Sequence, residues 1–236
     1  MVALVPVEVK SVSDKEFVVE ISGARGVGKS TLGAQLAVEL SARGIECHRT
    51  RPPQEASRLA ARLFSLVDEI RALWLFGRWR PESLGELRKL QRRYRRLRQT
   101  LPRDRSSGGV YIVDEGVWHL AMTVYIKTAR KDMGPIAAIL RQSLPFPDMV
   151  VLVEGSDASL ATRRGRRDNR GDRRQPRLNE AGRRGLRQLT LLLEHQALQE
   201  SRFRYLVVES DDPGGMEDSV PRVADAILGA RAVHES

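Results

Sequence analysis

The chain has 236 residues, 41% hydrophobic and 30% charged, with 40 basic against 30 acidic side chains and a formal net charge of +10. Such a length and balance suit one globular α/β domain with a sizeable core, and exclude a membrane-spanning or wholly disordered chain. A single cysteine, Cys47, and four scattered histidines (His48, His119, His195, His234) exclude an internal disulfide and a cysteine metal cluster. We read the histidines as structural or surface residues.

The segment Met1 to Glu8 has no basic n-region, and we read it as a short extra strand or arm of a cytoplasmic protein. Phe17-Val18-Val19-Glu20-Ile21-Ser22 is a short β-branched, apolar run of the kind a buried parallel strand shows. It leads into Gly23-Ala24-Arg25-Gly26-Val27-Gly28-Lys29-Ser30-Thr31, which fits G-x-x-x-x-G-K-[ST], the P-loop or Walker A motif. Leu32, Leu36 and Leu40 then follow at helical spacing, and Gly44 stops the helix. Strand, glycine loop and helix stand in the order a nucleotide-phosphate site requires.

A second strand is expected over 44–50, ended by Arg51-Pro52-Pro53. Leu59, Leu63, Leu66, Val67, Ile70, Leu73 and Trp74 trace one face of a helix, broken by Gly77 and Pro81. The next helix carries Leu84, Leu87, Leu90, Tyr94, Leu97 and Leu101, with Arg88, Lys89, Arg92, Arg93, Arg95, Arg96 and Arg98 on its other sides. One reading is a solvated basic helix packed by its leucine stripe. The other is a surface, over 88–105, for nucleic acid, an acidic protein or a second copy of the chain. Of the 40 basic residues 34 are arginine, whose forks suit phosphate capture, although coding composition explains such a bias equally well.

Val110-Tyr111-Ile112-Val113-Asp114-Glu115 is an apolar strand closing in two carboxylates, the Walker B pattern. An acid there can hold Mg²⁺ beside the P-loop hydroxyl. Helical material is expected from Trp118 to Leu144, broken near Gly134-Pro135. Met149 to Glu154 reads as a fourth strand, and a helix starts near Ser156-Asp157. The tract Arg163 to Arg174 reads as a glycine-bearing, arginine-rich loop. A leucine-rich helix through Leu186, Leu189, Leu192 and Leu193, a strand over 203–209 and a closing helix from Val220 to Ala232 complete the chain. No repeat and no linker divides it, so a single domain over 1–236 is expected.

From about Phe17 to Ala232 this plan resembles the thymidylate kinase and deoxynucleoside kinase group of P-loop kinases. The likeness is nearest over Phe17 to Arg51 and in Leu160-Ala161-Thr162-Arg163-Arg164-Gly165-Arg166-Arg167-Asp168, which looks like that group's LID. The resemblance implies a three-layer P-loop NTPase fold with a five-stranded parallel sheet ordered 2-3-1-4-5. It also implies a donor-phosphate half over 16–51, a helical acceptor lobe within 52–105 and an arginine-rich LID over 156–178. ATP and Mg²⁺ are implied with it. Backbone N–H groups from Ala24 to Thr31 would hold phosphates, Lys29 would bridge β and γ, Ser30 would ligate the metal and Asp114 would sit in its outer shell. One or two of Arg163, Arg164, Arg167 and Arg170 would reach the transferring group, with Arg163 and Arg167 as our choice.

Three departures from the group's pattern concern the acceptor. Arg25 stands where thymidylate kinases carry an acid, Thr50-Arg51-Pro52-Pro53 replaces Thr-Arg-Glu-Pro, and Asp114-Glu115-Gly116 replaces Asp-Arg-Tyr or Glu-Arg-Ser. An arginine expected to grip an acceptor nucleotide has become an acid, so thymidylate is not the expected acceptor. Glu115 is then either a base acting on an acceptor hydroxyl or a water, or a residue ordering the metal shell. The expected function is transfer of the ATP γ-phosphoryl group to a small molecule; the alternative is a P-loop ATPase that drives a partner. No Asn-Lys-x-Asp guanine-reading motif and no Leu-Ser-Gly-Gly-Gln signature occurs.

Overall fold

A computed structural model describes residues 16–24, 26–49, 84–100, 108–128, 132–156, 175–201, 203–210 and 215–235. The expected helix through Leu59 to Trp74, together with Arg25, Arg51, Arg163, Arg164, Arg167 and Arg170, lies outside them.

Five parallel strands form one sheet in the order β2-β3-β1-β4-β5, as expected. They are β1 (Phe17–Gly23), β2 (Cys47–Arg49), β3 (Val110–Asp114), β4 (Met149–Glu154) and β5 (Arg204–Glu209). All seven residues of β1 are buried, because β1 is hydrogen-bonded on both edges and covered on both faces. Alternation then decides which layer each side chain meets. Phe17, Val19 and Ile21 pack with Leu32, Leu36 and Leu40 of α1 (Lys29–Ala42) and with Val223, Ala224 and Ile227 of the closing helix. Val18, on the opposite face, joins a second core built from the helices between β2 and β5.

Those helices are α2 (Leu84–Thr100), α3 (Val117–Lys127), α4 (Gly134–Ser143) and α5 (Gln175–Gln199). Leu90, Tyr94 and Leu97 of α2 are buried in this core, so its apolar stripe is spent inside the chain. The break expected near Gly134-Pro135 is present: α3 ends at Lys127 and α4 starts at Gly134, where a proline in the first turn loses no hydrogen bond. The closing helix, α6 (Gly215–Glu235), starts five residues before Val220 and runs through Pro221. Among the described residues no helix is long and apolar enough to cross a membrane.

Candidate active site

The P-loop leaves the carboxyl end of the central strand. Three glycines make the turn, with φ of 142° at Gly23, 88° at Gly26 and 108° at Gly28, values that a Cβ would strain. A Cβ at Gly23 would also collide with the Val153 carbonyl of β4. Gly28 then caps α1, accepting from the Thr31 N–H at 2.9 Å and the Leu32 N–H at 3.0 Å. The helix N-terminus therefore faces the loop, with its orphan N–H groups and positive dipole end directed where a phosphate would lie.

Lys29, only 6% exposed, folds back over this loop. Its Nζ donates to the Gly23 carbonyl at 3.1 Å and to the Ala24 carbonyl at 2.9 Å, and lies 3.6 Å from Glu115 Oε1. Burial lowers the Lys29 pKa, and the Glu115 charge opposes that. Parallel pairing brings the two motifs to one edge: Ile21 lies opposite Asp114, and the Glu115 N–H donates to the Ile21 carbonyl at 3.2 Å. The expected pairing of P-loop and acidic strand end is thus present.

The Asp114 carboxylate is held by an arginine that the sequence did not single out. Arg49, the last residue of β2, donates from one terminal nitrogen to Asp114 Oδ2 at 2.6 Å and to the Ser30 carbonyl at 3.0 Å. The pair is partly exposed, and it ties the first turn of α1 to the ends of two strands. Asp114 Oδ1 is buried against Gly33 and has no hydrogen-bond partner. Ser30 itself is exposed at the head of α1.

Glu115 is faced by nitrogen-bearing side chains from three elements. Besides Lys29, Arg93 of α2 comes within 3.7 Å of Oε2, and His119 Nε2 of α3 within 3.7 Å of Oε1. Arg93 also donates to Thr123 Oγ1 at 2.9 Å, which fixes the basic helix on α3. Burial would raise the Glu115 carboxyl, but His119, Lys29 and Arg93 outweigh it and hold it below its ordinary value. His119 is 7% exposed, and burial pushes it down to about 3, so its ring is neutral near pH 7. At neutral pH Lys29 and Arg93 therefore carry the stabilisation of Glu115. His119 is structural in being buried, as expected, yet it borders the site.

Two further features narrow the chemistry. Cys47 is half-buried on β2, and desolvation raises its thiol to about 11, which leaves it protonated and inert at neutral pH. Glu20 of β1 is a buried carboxylate whose oxygens accept the Trp118 N–H at 3.0 Å and the His119 N–H at 2.8 Å. Its one sequence signal is a charge in the middle of an otherwise apolar strand.

No protein-family model and no curated protein matches the sequence. A solved structure of thymidylate kinase from Ehrlichia chaffeensis superposes with a TM-score of 0.52 at 14% identity, covering 90% of this chain and 98% of that one. At that identity the likeness establishes the three-layer α/β P-loop fold that both chains share.

Proposed function

We propose that the protein is an ATP-dependent phosphotransferase that moves the γ-phosphoryl group to the hydroxyl of a small molecule other than thymidylate. The observation that carries this reading is the 3.6 Å approach of Lys29 Nζ to Glu115 Oε1 at the mouth of the P-loop. It joins a phosphate-gripping cation to a carboxylate able to accept a proton. Phosphoryl transfer asks the protein mainly for positioning and charge neutralisation. The α1 N-terminus and residues 24–31 would cradle the donor phosphates, and Lys29 would exchange its carbonyl partners for phosphate oxygens. The β–γ bridging P–O bond breaks, a P–O bond to the acceptor hydroxyl forms, and the hydroxyl proton passes to Glu115. Arg163 and Arg167 remain our choice for the cations that close over the transferring group.

The donor set fits a divalent cation. Asp114 Oδ1 is an unpartnered buried carboxylate oxygen, and Arg49 bridges the Asp114 carboxylate to the Ser30 carbonyl at the head of α1. Among the described residues no three His, Cys, Asp or Glu side chains group as a metal site, so Ser30 and Asp114 would share the ion with phosphates and water. Bound there, Mg²⁺ supplies charge neutralisation at the β and γ oxygens.

A carboxylate at position 115 would repel an acceptor phosphate, which argues against thymidylate, the substrate in the neighbour's name, as the acceptor. The 42% exposure of the Glu115 side chain favours a second reading, in which it activates water and the protein is an ATPase. One experiment separates them: ADP formation from ATP and Mg²⁺ across an acceptor panel, with Lys29→Ala as the inactive control. Stimulation by one small molecule, with its phosphorylated product, supports the phosphotransferase. ADP release indifferent to every acceptor but raised by DNA, RNA or a protein overturns it. Glu115→Gln should lose turnover and keep ATP affinity; unchanged turnover removes the base.

A further inference from the structure

We propose that Glu20 is a positioning residue of this site: from the strand that feeds the P-loop, it caps α3 and so holds Glu115 against Lys29. The proposal rests on the phosphotransfer reading for its activity arm only.

The helix α3 begins directly after Asp114-Glu115-Gly116, and Gly116 has no side chain with which to cap it. Helix N-termini normally take a side-chain oxygen from a Ser, Thr, Asp or Asn at that place. Here the oxygen comes from another strand, because Glu20 accepts the Trp118 and His119 N–H groups and is itself only 1% exposed. A third bond runs from the Val117 N–H. An acceptor oxygen at the positive end of a helix is favoured, and a buried one is held in one geometry.

The same carboxylate explains the glycine of the Asp-Glu-Gly sequence. A Cβ on Gly116 would lie 2.5 Å from Glu20 Oε2, so position 116 has no room for one. Glu115 has a φ of 60° and is the non-glycine residue in the left-handed region among the described residues. Such a conformation persists where its neighbours over-determine it. Those neighbours are both on β1: the Ile21 carbonyl takes the Glu115 N–H, and the adjacent Glu20 takes the start of α3. Trp118 anchors the other side, its ring edge-on to Phe146 at 5.1 Å. One strand thus delivers the P-loop with Lys29 and fixes the turn that presents Glu115. His119, on the first turn of α3, is placed by the same cap.

The test uses the full chain carrying Glu20→Gln, which keeps the bulk but turns an N–H donor toward other donors. Loss of a fixed reactive geometry costs on the order of 10- to 100-fold in rate. The expected result is a kcat lower by that factor, with the KM for ATP within about twofold of wild type. Amide hydrogen exchange at 117–119 should accelerate, and Glu20→Gln should cost little further in a Glu115→Gln background. A kcat unchanged in the folded variant, or a loss confined to KM, overturns the proposal. If Glu20→Gln folds poorly, Gly116→Ala leaves Glu20 in place but pushes its carboxylate off the helix, and the same readouts apply. Should the wild-type chain turn over no ATP, the phosphotransfer reading fails. Exchange at 117–119 and the coupling of the two substitutions in affinity for a fluorescent ADP analogue then decide Glu20 independently. Unchanged exchange and additive affinities overturn it.

Discussion

The buried Glu20 carboxyl gives the protein a dependence of stability on pH, which replacement by glutamine removes and so makes measurable. Burial raises the Glu20 pKa from 4.5 to about 7, against hydrogen bonds from Trp118, His119 and Val117 that pull it down. Between those two values the folded chain keeps a proton that the unfolded chain has released, so stability falls as pH rises. The contribution of Glu20 is therefore complete below pH 4.5 and is lost as pH climbs through about 7. At about 1.36 kcal/mol per pKa unit the whole loss is about 3 kcal/mol. Glutamine cannot titrate, so whatever constant offset the substitution brings, the difference between the two proteins must drift by that amount in glutamine's favour. Urea unfolding of wild type and Glu20→Gln at a series of pH values from about 4 to 8 measures it. Parallel stability profiles across that window would refute the burial argument.

Three other outcomes follow from the site and the core. Arg49→Met removes the cation on Asp114 and should raise the apparent affinity for Mg²⁺ in the presence of ATP, read from a magnesium titration; a weaker magnesium dependence would mean that Arg49 orients Asp114 instead of neutralising it. Leu36→Ala empties a position of zero exposure between α1 and the sheet, and should cost about 2–5 kcal/mol in urea unfolding. Gly23→Ala puts a methyl group against the Val153 carbonyl at a φ of 142°, and should abolish nucleotide binding measured by calorimetry. Retained affinity there would mean that the loop does not need this turn.

The P-loop and the strands beside it were legible because their signals are local. A glycine pattern encodes a turn, and an apolar run encodes a strand buried on both faces, whatever lies elsewhere in the chain. The leucine stripe of α2 was legible for the same reason, since helical spacing names the buried face before its partner is known. The sheet order came from resemblance, and the register of β1 against β3 and β4 confirms it. Asp114, Glu115 and Lys29 could be brought together because strand ends in a parallel sheet share one edge.

What surrounds those three residues was decided only by tertiary structure. Arg49 and Arg93 are two arginines among 34, and no local pattern marks them. Arg49 meets Asp114 because β2 pairs with β3, and Arg93 meets Glu115 because α2 docks on α3 through Thr123. Glu20 could have been noticed as a charge in a buried strand, but its partners lie almost a hundred residues further along the chain. Contacts of that range depend on how crossover connections stack helices on a sheet, and spacing along the sequence does not encode it. The sequence by itself determined a P-loop, an acidic strand end and the order of strands and helices. The tertiary structure decided which cations neutralise the two carboxylates, and which buried acid holds one of them in place.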